Sequence, residues 1–188
     1  MRYPPEHKAA ARAKLLAASA AVAKKEGFSH TGMDALTAAA GMTTGAFYSQ
    51  FSSKQELLSA IVEQELTKTL ALFSQKTPEQ LLVALGRYLS LSHVEHPEAG
   101  CAIPSLGAEI ARADLATKQC FEQHLCQLVY VITQTIGDEK RAWAIICQAI
   151  GGVVVARAMA SSELQQTVLQ AVQESGRQVL QLEPLSDV

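Results

Sequence analysis

Hydroxyl, amide and ammonium groups gather between Thr31 and Lys54, in the stretch TGMDALTAAAGMTTGAFYSQFSSK. Such groups hydrogen-bond phosphate oxygens and the edges of bases. Their order suggests two short helices. Thr31 is a candidate N-cap, with Asp34 three residues on in a first turn where the helix dipole favours a carboxylate. Ala35, Leu36, Ala38 and Ala39 make a helix of small side chains. Gly41 ends it, because the following turn wants positive φ. Thr43 then caps a second helix from about Thr44, with Phe47 and Phe51 sharing its buried face. Thr44, Gly45, Tyr48, Ser49 and Gln50 point away from that face. Ser52 or Ser53 caps a third helix opening at Lys54. Two short helices joined by a glycine turn form a helix-turn-helix, whose second helix reads base edges in the major groove. Gly45 lets that helix approach a duplex closely, and the Gln50 amide has the groups to pair with adenine.

These residues resemble a known family. AAAGMTTGAFYSQFSSKQELL is similar to the DNA-binding signature of the tetracycline-repressor-like (TetR-like) transcriptional regulators. Thr31, Ala40, Gly41, Thr43, Gly45, Phe47, Tyr48, Phe51 and Lys54 all fall on that signature. Thr37 departs from it, standing where a small Ala is usual. Thr44 stands where Lys or Arg is frequent, which leaves a weaker hydroxyl contact. The resemblance implies an all-α protein with a three-helix DNA-binding head at 1–53 and an effector-binding, dimerising body at 54–188. It implies that Thr31, Tyr48 and Lys54 clamp phosphates and set register, while Thr43, Thr44, Gly45, Ser49 and Gln50 face the groove. The implied partners are an operator duplex, a second copy of the chain and a small-molecule effector; no cofactor or metal is implied.

The composition fits. The 188 residues are 48% hydrophobic but only 5% aromatic, and rich in Ala, Leu and Gln, which leans helical. Net charge is −2, yet residues 1–54 carry seven Lys and Arg against three acids, and residues 55–188 carry nine against fifteen. A basic N-terminal module on an acidic body is the distribution expected when only the first part meets phosphates. Cys101, Cys120, Cys126 and Cys147 contain no C-x-x-C pair and read as reduced thiols. No secretory signal stands at the N-terminus, so the expected location is cytoplasmic. The apolar stretch Ala142 to Ala156 is shorter than the roughly 20 residues a membrane span needs, which favours a buried or interface helix.

Along the chain, a tail at 1–6 precedes a first helix to about Glu26, with Leu15, Ser19 and Val22 on one face and Lys24 and Lys25 complementing the dipole. Phe28 packs inward. A connector helix runs from Lys54 to about Phe73. Thr77-Pro78-Glu79 opens a helix with an inner stripe of Leu81, Leu82, Leu85, Leu89 and Ser92, ending near Glu95. A loop over 96–100, a short helix at 104–111 containing Gly107, and a long helix at 114–136 follow. The last two helices span 139–159 and 162–182. Gly151-Gly152 in the first implies a close neighbour. Leu164, Val168, Ala171, Val172, Ser175 and Val179 form the seam of the second. This amphipathic pair reads as a homodimer surface, a four-helix bundle across a two-fold axis.

His93, His96 and Cys101 in HVEHPEAGC are the one metal-like group, but a fourth ligand and rigid spacing are missing, and the two His read as solvent-facing. Cys101, at a loop-to-helix junction, carries an alternative reading as a thiol or electrophile sensor. Cys120, Cys126 and Cys147 read as core or pocket lining. The family likeness implies an effector pocket among the body helices, with Tyr88, Ile103, Phe121, Leu125, Trp143 and Cys147 as lining and Cys101 nearby. Few charges on those faces favour an apolar or aromatic effector. No nucleophile motif, phosphate loop or paired carboxylates points to an enzyme. The sequence therefore reads as a ligand-responsive transcriptional repressor on a palindromic operator, with a helical protein-interaction module as the remaining alternative.

Overall fold

The computed structural model describes residues 5–181; of the tail expected at 1–6, residues 1–4 lie outside them, as does Leu182, the last residue of the expected C-terminal helix, while Pro5 and Glu6 belong to the first helix instead. The described residues form ten helices and no strand: α1 (Pro5–Glu26), α2 (Met33–Ala39), α3 (Thr44–Tyr48), α4 (Lys54–Phe73), α5 (Pro78–Tyr88), α6 (Leu91–Glu95), α7 (Ile103–Arg112), α8 (Leu115–Ile136), α9 (Glu139–Ala158) and α10 (Ser162–Gln181). Two compact units result. One holds the chain to Leu66 with Pro97–Glu122, the other Thr67–His96 with the chain from Gln123 onward.

In the first unit α1 ends as its glycine signal requires, with Gly27 at φ 85°. Leu15, Ser19, Ala20 and Ala23 are buried, while Val22 is only half-buried. The Ser19 hydroxyl donates to the Leu36 carbonyl at 3.2 Å, joining α1 to α2. Lys24, expected to serve the helix dipole, is buried instead. Its ammonium lies 2.5 Å from Glu65 and donates to the Gly100 carbonyl at 2.8 Å. Ile103, Leu106 and Ile110 of α7 are buried, and Glu109 accepts the backbone N–H groups of Phe28 and Ser29 at 3.1 and 3.0 Å. Asp114 accepts the Thr117 N–H at the start of α8, which holds its carboxyl below the ordinary value.

In the second unit Thr77 and Gln80 form a reciprocal capping box with Pro78 in the first turn of α5. The single helix expected to about Glu95 is two. It breaks at Leu89, whose ψ of 61° leaves the helical region, and Ser90 caps α6 by accepting the His93 N–H. His93 is therefore not solvent-facing: it is buried, its Nδ1 lies 2.7 Å from the Tyr88 carbonyl, and its ring packs edge-on to Tyr88 at 4.5 Å.

Two apolar clusters hold this unit. Leu85, Leu89, Val94, Ile145, Ala149, Val153, Ala156 and Leu169 make one. Leu81, Leu128, Val129, Ile132, Ala142 and Ile146 make the other. α9 matches the helix expected at 139–159 to within one residue, and by length and composition alone it is long and apolar enough to cross a membrane. Its buried residues, from Ala142 to Ala156, pack within these clusters, as in a core helix.

Close approach explains one of the paired glycines. A Cβ on Gly152 would stand 3.0 Å from Val172 Cγ2 and 3.3 Å from Leu89 Cδ2, so side chains rather than a neighbouring backbone fill the space; Gly151 meets nothing within 4 Å. The buried line of α10 differs from the expected seam. Leu169 and Gly176 are its buried residues, whereas Leu164 and Ala171 are exposed and Val168, Val172, Ser175 and Val179 half-buried.

Candidate nucleic-acid interface

The turn between α2 and α3 is fixed by backbone bonds that local sequence selects. Met42 N–H donates to the Thr37 carbonyl and Gly41 N–H to Ala38, a Schellman closure with Gly41 at φ 67°. Thr43 caps α3 by accepting the Ala46 N–H at 3.2 Å. Phe47 and Phe51 are fully buried with rings stacked at 5.6 Å. Phe51 lies beyond the end of α3, yet its N–H still donates to the Phe47 carbonyl, so it completes one more turn. Ser53 caps α4, and Glu56 reaches back to the N–H and hydroxyl of Ser52, both at 2.7 Å. Those two bonds, then the nearby Arg12 guanidinium, hold the Glu56 carboxyl below its ordinary value.

This scaffold leaves Thr43, Gly45, Tyr48 and Ser49 exposed, with Thr44 and Gln50 half-buried beside them. Tyr48 packs edge-on against Phe47 and is 59% exposed. Lys54 is half-buried: its ammonium donates to the Thr31 and Ser29 carbonyls at 2.8 and 3.3 Å and lies 4.9 Å from the Phe28 ring centre. Thr31 does not cap α2. Gly32 is the N-cap, without a side-chain bond, and the buried Thr31 hydroxyl donates to the Gly27 carbonyl at 2.6 Å. The unusual Thr37 is accommodated in the core, its hydroxyl donating back to the Met33 and Asp34 carbonyls.

Sequence reasoning missed two contributors. Arg12 of α1 lays its guanidinium 3.9 Å over the Phe51 ring and donates to the Gln50 carbonyl. Asp34 accepts the Thr44 hydroxyl at 2.6 Å. Both join residues far apart in the chain, where no spacing rule operates. Between residues 31 and 53 stand no Lys, Arg or His, and Asp34 is the sole acid.

The residues expected around an effector are divided between the two units. In the first unit Ile103 is buried and Cys101 and Phe121 are half-buried. In the second, Leu125 and Trp143 pack on the same cluster, and Tyr88 packs on the other. Cys147 and Cys126 are exposed, contrary to their reading as core or pocket lining. Burial pushes the half-buried Cys120 thiol up, with Glu63 adding to it and a Ser59 hydrogen bond opposing it.

A model of bacterial regulatory proteins of the tetR family matches residues 15–61, from within α1 through α2 and α3 into α4. No curated protein matches the chain in sequence. Among solved structures, a TetR-family transcriptional regulator from Cytophaga hutchinsonii is similar over 96% of both chains, with 21% identity and a TM-score of 0.75. NemR of E. coli in its reduced form is similar over 90% of this chain and 97% of its own, with 16% identity and a TM-score of 0.75. FadR from Bacillus subtilis in complex with stearoyl-CoA is similar over 89% and 96%, with 15% identity and a TM-score of 0.66. At these identities the structural likeness speaks to the fold, and the matched segment speaks to the head. A glycine-closed turn and a capped recognition helix anchored by two buried Phe rings lie within the segment that matches the tetR-family model, so this N-terminal region is similar to the DNA-binding region of that family, on a chain that shares the fold of TetR-family regulators of known structure.

Proposed function

We propose that this protein is a homodimeric repressor, released from a palindromic operator when a small apolar or aromatic molecule enters its body. The observation that carries the reading is the exposed set Thr43, Gly45, Tyr48 and Ser49, held on a helix whose opposite face is locked by buried Phe47 and Phe51. Residues 1–53 act as the head and 54–188 as the effector-binding and dimerising body. Thr43, Thr44, Gly45, Ser49 and Gln50 meet base edges, and Tyr48 and Lys54 meet phosphates. Thr31 serves through its backbone, because its carbonyl holds Lys54. The dimer forms through the outer faces of α9 and α10. There Cys147, Val154, Leu164 and Ala171 stay exposed on the protomer, with half-buried Val168 beside them. Effector contacts come from Tyr88, Cys101, Ile103, Phe121, Leu125 and Trp143. The likeness to FadR, solved with stearoyl-CoA, is in keeping with an apolar effector. The place of action is the cytoplasm.

Fluorescence anisotropy tests the reading, using the purified protein, DNA from upstream of its own gene, a scrambled duplex and a salt series. The expected result is one dimer per palindrome, with affinity falling steeply as salt rises and at least ~10³-fold preference over the scrambled duplex. Equal, weak binding to that duplex and to every genomic fragment in a parallel selection would sink it.

A further inference from the structure

We propose that Asp34 and Thr44 form one acceptor-only reading element that selects a cytosine in each half of the operator. The inference rests on α3 entering the major groove, and its test separates the two claims. Thr44 is the first residue of α3, and its hydroxyl donates to Asp34 Oδ1 at 2.6 Å. A hydroxyl has one proton, so Thr44 is left with lone pairs alone. Asp34, exposed in the first turn of α2, adds an acceptor-only carboxylate at the same spot.

The neighbouring groups sharpen the pattern. The Ser49 hydroxyl donates to its own helix, at the Ala46 carbonyl 2.6 Å away, and accepts from Gln50 Nε2 at 3.1 Å. Residues 31–53 contain no cation to offset the carboxylate. In the major groove, guanine offers N7 and O6 and thymine offers O4, all acceptors. Only cytosine N4 and adenine N6 donate. Adenine places its N7 acceptor beside N6, facing the second acceptor of the pair, whereas cytosine presents only a C–H there. Two adjacent acceptors on the protein therefore favour cytosine and repel guanine and thymine. An Arg or Lys at position 44 would read guanine instead, so the pair inverts the preference at this point in the groove.

The test is selection of full-length protein on a duplex library randomised across both half-sites, followed by sequencing, for wild type, D34A, D34N and T44V. Wild type is expected to enrich a two-fold symmetric motif in which one position per half disfavours guanine and thymine by about tenfold or more. D34A and T44V flatten that position and leave the others unchanged. D34N, whose amide adds donors, admits guanine or adenine there and keeps the side-chain shape should D34A fail to fold. A wild-type motif in which every position survives D34A and T44V, or in which the altered position prefers guanine or thymine, overturns the assignment and leaves the operator reading standing. A wild type that enriches no motif overturns both.

Discussion

Lys24 shows how far one residue can depart from its local role. Its position in the last turn of α1 suits a dipole partner, but its side chain is turned inward between Glu65 and the Gly100 carbonyl. Both partners of the ion pair are less than a tenth exposed. Removing one member strands the other's charge in a low-dielectric setting, so K24M should cost about 3–5 kcal/mol. The double variant K24M/E65L removes both charges and should recover most of that loss. Urea denaturation measures both; a double variant as unstable as the single one would show that the charge pair is not the cause. The ion pair was invisible in the sequence because residues 24 and 65 sit on different helices. By contrast, Thr43 and Ser53 were legible as caps, and Thr77-Pro78-Glu79 as a helix start, since a cap needs only the residues immediately following it.

Elements were legible where their ends are written in local chemistry. Gly27, Gly41 and Gly137 all take positive φ and stop their helices where expected. The break between α5 and α6 was not legible, because apolar spacing continues through Leu85 and Leu89 and only Ser90 marks the new start. The buried line of α10 was missed for another reason. A hydrophobic stripe reveals large side chains, but Gly176 is buried for what it lacks. A Cβ there would stand 2.4 Å from Leu85 Cδ2. G176A should therefore destabilise the protein, because displacing Leu85 in a packed cluster costs ~1–3 kcal/mol, more than the helix gains from alanine. G107A, with nothing within 4 Å of the new methyl, should instead stabilise by ~0.5–1 kcal/mol. Thermal melts of the two variants should move in opposite directions; a stabilised G176A would mean that Leu85 yields freely.

On the scale of the whole molecule, the proposed dimer makes a demand on α9. Val154 is 45% exposed on the protomer, and an isolated surface residue tolerates most changes within ~0.5 kcal/mol. If it lies in a two-fold interface, V154D buries a charge twice over. Light scattering should then report a monomer, and operator affinity should drop by about tenfold or more as the two heads lose their fixed spacing. An unchanged dimer would place the interface elsewhere. Patterning alone left this open, since the same apolar stripe serves a core and an interface alike. The lack of any Lys, Arg or His between residues 31 and 53 reaches further, into the time the protein spends searching. Grip on non-cognate DNA is counterion release, and here it must come from cations outside the reading helices, such as Lys8, Lys14 and Lys25. On the proposed reading of the groove, wrong sequences would meet an acceptor-rich surface and be released quickly; residence would then accumulate where the bases supply the missing donors, and operator occupancy would be set by how slowly that site releases the protein.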